Sequence, residues 1–197
     1  MEGDTLNIMT VASSLNKQSA TRVVILDVSD ALQAAGCNVD VLDLAKETLP
    51  MVNTDTSFSA EYYAPLKERV NKADVYVLGT PDYHGGMSGA LKNFLDHFWK
   101  EFTGKLFAPV VVSHEKGLTV HDQIRTVARQ CYSWSLPYAV SFNDKEDIAD
   151  RAVTSDYLKG RLEMLVGDVQ AYGKALAIQR ENDLGGEAPG FMAQLRK

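Results

Sequence analysis

Apolar positions along this chain alternate between short continuous runs and stretches of helical period. The run Leu6 to Ala12 is mostly apolar and ends in small polar residues, as a central strand does before a loop. Ser19 then stands at an N-cap position ahead of Val23, Val24, Leu26, Ala31, Leu32 and Ala35, with Gly36 where a helix would stop. Val39 to Leu44 reads as a second strand, followed by an irregular stretch from Thr48 to Ser59 that contains Pro50. Leu66, Val70 and Ala73 mark one face of a short helix whose first turn can hold Pro65. Val75 to Gly79 is the third strand.

That strand breaks into Thr80 to Phe94, TPDYHGGMSGALKNF, with a proline, two adjacent glycines and a third at Gly89. So many special residues predict a backbone with unusual angles or one that something approaches closely. Helical spacing resumes with Met87, Ala90, Leu91, Phe94, Leu95 and Phe98. Ala108 to Ser113 predicts a fourth strand, and Thr119 to Asp122 is a capping-box pattern before Ile124, Val127 and Cys131. Tyr138 to Phe142 predicts a fifth strand, and Leu158, Leu162, Leu165, Val169, Tyr172 and Leu176 predict a long amphipathic helix.

Strands alternating with helices imply a parallel sheet with helices on both faces, because a right-handed crossover helix must join each pair. Five such units give a three-layer, doubly wound α/β domain, expected over residues 1–181, with an irregular tail over 182–197. Ligands of such sheets bind beyond the carboxyl ends of the strands. The loops after Ala12, Gly79 and Ser113 are therefore the candidate site.

Composition narrows the function. The 197 residues are 45% hydrophobic and 23% charged, enough for a full core without metals or disulfides. A net charge of −6 argues against nucleic acid or an anionic membrane as partner. The acidic first residues and the absence of a long apolar run predict a cytoplasmic protein that neither enters a secretory path nor spans a membrane. Cys37 and Cys131 fall in no ligand spacing and read as structural thiols. His84, His97, His114 and His121 form no convincing metal set; His84 and His114 follow strands at the same edge and are placed to line one pocket, and His97 reads as a helix-surface or interface residue.

The loop Ser13 to Thr21 is rich in hydroxyls at the start of a helix. It either holds a phosphate on its amides and hydroxyls or merely caps the helix. Neither G-x-G-x-x-G nor G-x-x-x-x-G-K-[ST] is present, so neither a dinucleotide fingerprint nor a triphosphate loop is supported, and Asp43 reads as a solvated strand end. Pro81 to Gly86 can present main-chain groups to a flat heteroaromatic ring. The two loops together suit the two ends of a flavin mononucleotide. Phe98 and Trp99 are adjacent on the predicted helix and cannot both face inward, which predicts that one of them meets a partner subunit.

The stretch Pro81 to Asp96, PDYHGGMSGALKNFLD, closely resembles the NADPH-dependent FMN reductase family, with its P-E-Y-N/H-x-S-x-x-G-x-L-K-N-x-L-D pattern. The first loop is similar to that family's G-S-x-R-x-x-S-x-x-R signature at Ser14, Ser19 and Arg22. The chain departs from the pattern at Ser13 in place of glycine, Asn16 in place of arginine, Asp82 in place of glutamate, Gly86 in place of a common serine, and Ser113 to Gly117 in place of a Gly-rich loop.

The resemblance implies a flavodoxin-like fold with a five-stranded parallel sheet of order 2-1-3-4-5. It implies bound FMN, with the phosphate at Ser14, Asn16, Ser19, Ala20 and Thr21 and the ring at Pro81, Asp82, Tyr83, His84, Gly85, Gly86 and Ser113. NADPH or NADH would pass hydride to flavin N5 and leave, and a small-molecule acceptor such as a quinone, azo compound, ferric complex or free flavin would follow it in a ping-pong cycle. No side chain is expected as catalytic acid or base, because the cofactor carries the chemistry. A homodimer or homotetramer is implied. The alternatives are an FMN-binding electron carrier without steady-state reductase activity and a flavin-free regulatory module of the same fold.

Overall fold

The computed structural model describes residues 5–186. Its first half contains β1 (Asn7–Ala12), α1 (Ala20–Ala34), β2 (Asn38–Asp43), α2 (Tyr63–Lys72), β3 (Val75–Tyr83), β4 (Gly86–Met87) and α3 (Gly89–Asp96). The second half contains β5 (Leu106–Val112), α4 (Leu118–Gln130), β6 (Trp134–Ser135), β7 (Val140–Phe142), α5 (Asp144–Asp147), β8 (Ile148–Ala149), β9 (Ala152–Val153) and α6 (Asp156–Gly185).

The central sheet has seven strands in the order β2-β1-β3-β5-β6, with β4 on β3 and β7 on β5, rather than five in the order 2-1-3-4-5. Two local causes account for the difference. The expected fifth strand is broken: Trp134 and Ser135 pair with Leu106 and Phe107, while Val140 to Phe142 pair with Val110 to Val112. Pro137 lies in the gap and has no N–H to give to the ladder. The additional strand, β4, arises because β3 runs on through Tyr83 and folds back antiparallel, Asp82 opposite Met87 and Tyr83 opposite Gly86.

Side chains of the sheet alternate between two cores. Val75 and Val77 of β3 join Ile8, Val24, Ile25, Leu162 and Leu165 under α1 and α6. Tyr76 and Leu78, one position out of phase, join Met9, Val11, Phe94, Phe107 and Ile124 under α2, α3 and α4. Both faces of the parallel sheet are thus covered, which leaves its carboxyl edge as the open end for a site.

Several boundaries differ from expectation. α4 starts at Leu118 behind Gly117, whose φ is 59°, and no side chain caps it. A Cβ on Gly117 would lie 2.8 Å from Val111 Cγ1, so close packing against β5 sets the start of the helix and the Thr119–Asp122 box does not. α3 ends at Asp96; Phe98 is buried, and Trp99 is 51% exposed. α6 continues through Gly185, so residues 182–185 are helical, and the rest of the expected tail, 187–197, lies outside the described residues. His97, expected at the surface, is buried: its Nδ1 donates to the Asn93 carbonyl at 2.7 Å and its Nε2 accepts from the Tyr62 hydroxyl at 3.0 Å. No helix among the described residues is long and apolar enough to cross a membrane.

Candidate functional site

The loop after β1 is built around two anchors. The Ser19 hydroxyl caps α1 by accepting from the Arg22 amide at 3.0 Å, as the sequence indicates. Arg22 itself turns back: Nε donates to Asp43 Oδ2 at 2.7 Å and Nη2 to Asp43 Oδ1 at 3.1 Å. Its remaining donors reach the carbonyls of Ser14, Asn16 and Lys17. Asp43 is therefore no solvated strand end; it is 6% exposed. Burial would raise its pKa, but the hydrogen bonds and charge of Arg22 and the amide of Ala45 outweigh that and lower it.

With carbonyls turned toward Arg22, the amides are left for a ligand. Among the described residues, the amides of Ser14, Ser19, Ala20 and Thr21 donate to no protein acceptor. The Thr21 hydroxyl is buried and has no hydrogen-bond partner among the described residues. Ser19 keeps its own O–H proton, because its oxygen is only an acceptor in the cap. Asn16 closes a local turn, Oδ1 accepting from the Gln18 amide at 2.9 Å. This is a set of neutral donors at the positive end of a fifteen-residue helix, which fits a phosphate monoester.

The stretch after β3 is a two-residue hairpin. His84 and Gly85 both have positive φ, 57° and 78°, as a type I′ turn requires. Asp82 bridges two loops: Oδ1 accepts from the Gly85 amide at 2.8 Å and Oδ2 accepts from the Ser113 hydroxyl at 2.9 Å. The Gln123 side chain of α4 holds the other side, donating to the Gly85 carbonyl and accepting from the Met87 amide, each at 3.1 Å. Pro81 is buried in the strand opposite Val112. Tyr83 and His84 are exposed at the tip, and the His84 amide has no acceptor among the described residues.

The expected residues thus fall into two groups joined at the sheet edge. Ser14, Asn16, Ser19, Ala20 and Thr21 lie in one loop and the start of α1, while Pro81 to Gly86 and Ser113 form the other group through Asp82. His84, expected to line one pocket with His114, is not among the residues lining the groove that holds His114. That groove, of about 970 Å³, lies beside α4 and β7, and His114 is 3.9 Å from Asp144. His121 lines the same groove with its Nε2 3.0 Å from the Ser141 hydroxyl, and burial lowers its pKa. A second groove, about 790 Å³, runs from Lys17, Ser19 and Ala20 to the β8–β9 hairpin.

Sequence reasoning missed Ser88, Gln123 and Asn93. Asn93 accepts from the Val52 amide and donates to the carbonyls of Leu49 and Pro50, pinning the irregular stretch after β2 onto α3. A polar residue among the apolar positions of that helix was the available signal.

A sequence model of the family described as NADPH-dependent FMN reductase matches residues 6–147. The chain is similar to an NADPH azoreductase from a Bacillus species, 36% identical over 110 residues that make up 55% of this chain; the chain spans 59% of that relative's length. Among solved structures it is similar to the flavoenzyme NAD(P)H:(acceptor) oxidoreductase of Paracoccus denitrificans, with TM-score 0.67 and 20% identity over 88% of this chain and 98% of that one. It is also similar to a flavodoxin from the domain Archaea, with TM-score 0.61 and 12% identity over 86% of this chain and 99% of that one. At such identities these two likenesses establish a flavodoxin-like fold.

Proposed function

The chain belongs to the NADPH-dependent FMN reductase family, and from that premise we propose that it is an FMN-dependent NAD(P)H oxidoreductase. The observation that carries the reading is the pairing of two unlike sites at neighbouring strand ends. One is a loop of unpaired amides with the orphaned Thr21 hydroxyl, and the other is a braced hairpin with an exposed tip. Bound FMN would supply the ring that takes up hydride from the nicotinamide and passes its two electrons to the acceptor.

The chain's own residues bind and orient. Ser14, Asn16, Ser19, Ala20 and Thr21 hold the phosphate, helped by the α1 dipole and by the positive charge of exposed Lys17 in the same loop. Pro81, Asp82, Tyr83, His84, Gly85, Gly86 and Ser113 receive the ring, with Asp82, Ser113 and Gln123 also bracing the hairpin and the His84 amide left as a main-chain donor. No side chain is assigned a proton-transfer role. The nicotinamide and the acceptor, a quinone, azo compound, ferric complex or free flavin, use the same face in turn, which is a ping-pong order. Exposed Trp99 beside buried Phe98 supports a homodimer or homotetramer.

The test begins with visible absorption of the purified protein before and after adding FMN and removing the excess. Flavin should remain bound, and NADPH should then be oxidised in steady state with a small quinone or azo dye. A protein that stays colourless sinks the reading. Flavin uptake without NADPH oxidation would replace the reductase with an electron carrier.

A further inference from the structure

Two buried hydroxyls connect the phosphate loop to the hairpin. Ser13 is fully buried and Ser88 is 3% exposed, and they lie 75 residues apart in sequence. Ser13 Oγ is 2.7 Å from the Gly79 carbonyl, which can only accept, so the Ser13 proton goes there. Ser88 Oγ lies 2.9 Å from Ser13 Oγ and 3.1 Å from the Ser13 carbonyl, and therefore donates toward Ser13. It accepts in turn from the Leu91 amide at 3.1 Å, capping α3. The chain of donors has one direction, from α3 through Ser88 and Ser13 to the Gly79 carbonyl within β3. Aligned hydrogen bonds of this kind strengthen one another in a buried setting.

The placement of this relay is what gives it a consequence. The hairpin is tied at its base by the Ser88 amide donating to Thr80 Oγ1 at 2.9 Å, and both of these residues flank Pro81 to Met87. On the other side, Ser13 immediately precedes Ser14, whose amide has no acceptor among the described residues. An anion that orders the loop at Ser14 also fixes the Ser13 hydroxyl, and through Ser88 it fixes both ends of the hairpin. Ordering shared in this way makes the second binding event less costly than the first.

We propose that Ser13 and Ser88 are positioning residues that couple the two ends of the site, so that a phosphate at the α1 N-terminus tightens binding of a flavin ring at the hairpin. The proposal rests on the reading of the site as an FMN site. It predicts that inorganic phosphate and riboflavin, which carry the two ends separately, bind with positive and reciprocal coupling.

Ser13→Ala is the variant to use. It leaves Ser88 with the Ser13 carbonyl as acceptor, leaves Gly79 with the Ser13 amide at 3.1 Å, and leaves the α3 cap intact. Riboflavin affinity is measured by fluorescence quenching with and without saturating inorganic phosphate. In the wild type phosphate should tighten riboflavin binding about fivefold, the low end of ordinary coupling. In Ser13→Ala, which keeps only the main-chain contacts of residue 13, the factor should fall to about twofold or less, with riboflavin affinity in the absence of phosphate unchanged within about twofold. A merely structural role would weaken binding equally with and without phosphate, and that result overturns the proposal, as does a wild type with no coupling. Ser88→Ala, which removes both contacts to Ser13, should bring the factor to about one, and the double variant should lose no more than Ser88→Ala alone.

Amide exchange of residues 82–87 with inorganic phosphate alone separates this proposal from the FMN reading. Phosphate should slow exchange of the hairpin in the wild type and leave it unchanged in Ser13→Ala, even in a protein that failed to bind flavin. Hairpin exchange that ignores phosphate in the wild type overturns the coupling whatever the cofactor.

Discussion

Arg22 and Asp43 form an ion pair with two hydrogen bonds, Nε to Oδ2 at 2.7 Å and Nη2 to Oδ1 at 3.1 Å, across the gap between α1 and the end of β2. The guanidinium of Arg22 also gathers the carbonyls of Ser14, Asn16 and Lys17. Arg22, which matches the last arginine of the family's first-loop pattern, is therefore committed to shaping the loop. Its effect on an anion is indirect, because turning carbonyls inward leaves amides outward.

The pair sets a pH dependence. Burial would raise the Asp43 pKa, but the Arg22 and Ala45 hydrogen bonds prevail and hold it below the ordinary value. A carboxylate with a depressed folded pKa adds stability above its unfolded pKa, about 4, and that stability fades as pH falls through the folded value. Asp43→Asn should cost about 2 kcal/mol at pH 7 and progressively less as pH falls below about 4, measured by urea unfolding. A cost that does not change with pH would show that the charge is not what matters.

How much of this was legible depends on sequence distance. The Ser19 cap sits next to the helical period it starts, and it was readable. The β3 run was readable as a strand, but its continuation to Tyr83 was not, since Pro81 and the glycines look like an ending until β4 pairs with it. The Thr119–Asp122 box pointed to the wrong start of α4, because the contact of Gly117 with Val111 is not local. Arg22 with Asp43, Ser13 with Ser88, and Asp82 with Ser113 are joined only by the register of β1, β2, β3 and β5. The site's residue types were thus visible and its bracing was not.

Ser19→Asp tests the anion site without disturbing the helix. Aspartate caps as well as serine does and suits the helix dipole, so the melting temperature should hold or rise slightly. The added negative charge would sit among the amides assigned to the phosphate, and FMN affinity should fall at least about tenfold while riboflavin affinity stays the same. Equal loss for both ligands would mean the loop does not contact the phosphate.

Asn93→Ala tests the pin under the stretch after β2. Three hydrogen bonds to backbone are lost, and the Val52 amide and Pro50 carbonyl lose their partner. Stability should fall by about 2–3 kcal/mol, with amide exchange accelerating first at Val52 and its neighbours. Uniform acceleration across the sheet would instead point to a global loss with no special role for the pin.

Gly79→Ala links the core to the site. A Cβ at this position would lie 2.3 Å from Ile25 Cγ1, 2.7 Å from Ile25 Cδ1 and 3.0 Å from Thr21 Cγ2. Ile25 is fully buried and cannot step aside, so α1 must move off β3. The same movement pulls Thr21 and Ser19 away from the Ser13 anchor on the Gly79 carbonyl. The substitution should cost about 2–3 kcal/mol and weaken FMN binding about tenfold. Adding Ile25→Ala removes the clashing atoms, so the double variant should be more stable than the sum of the two single losses predicts. Strict additivity would show that the helix does not have to shift, and that glycine is required here for some reason other than the approach of α1.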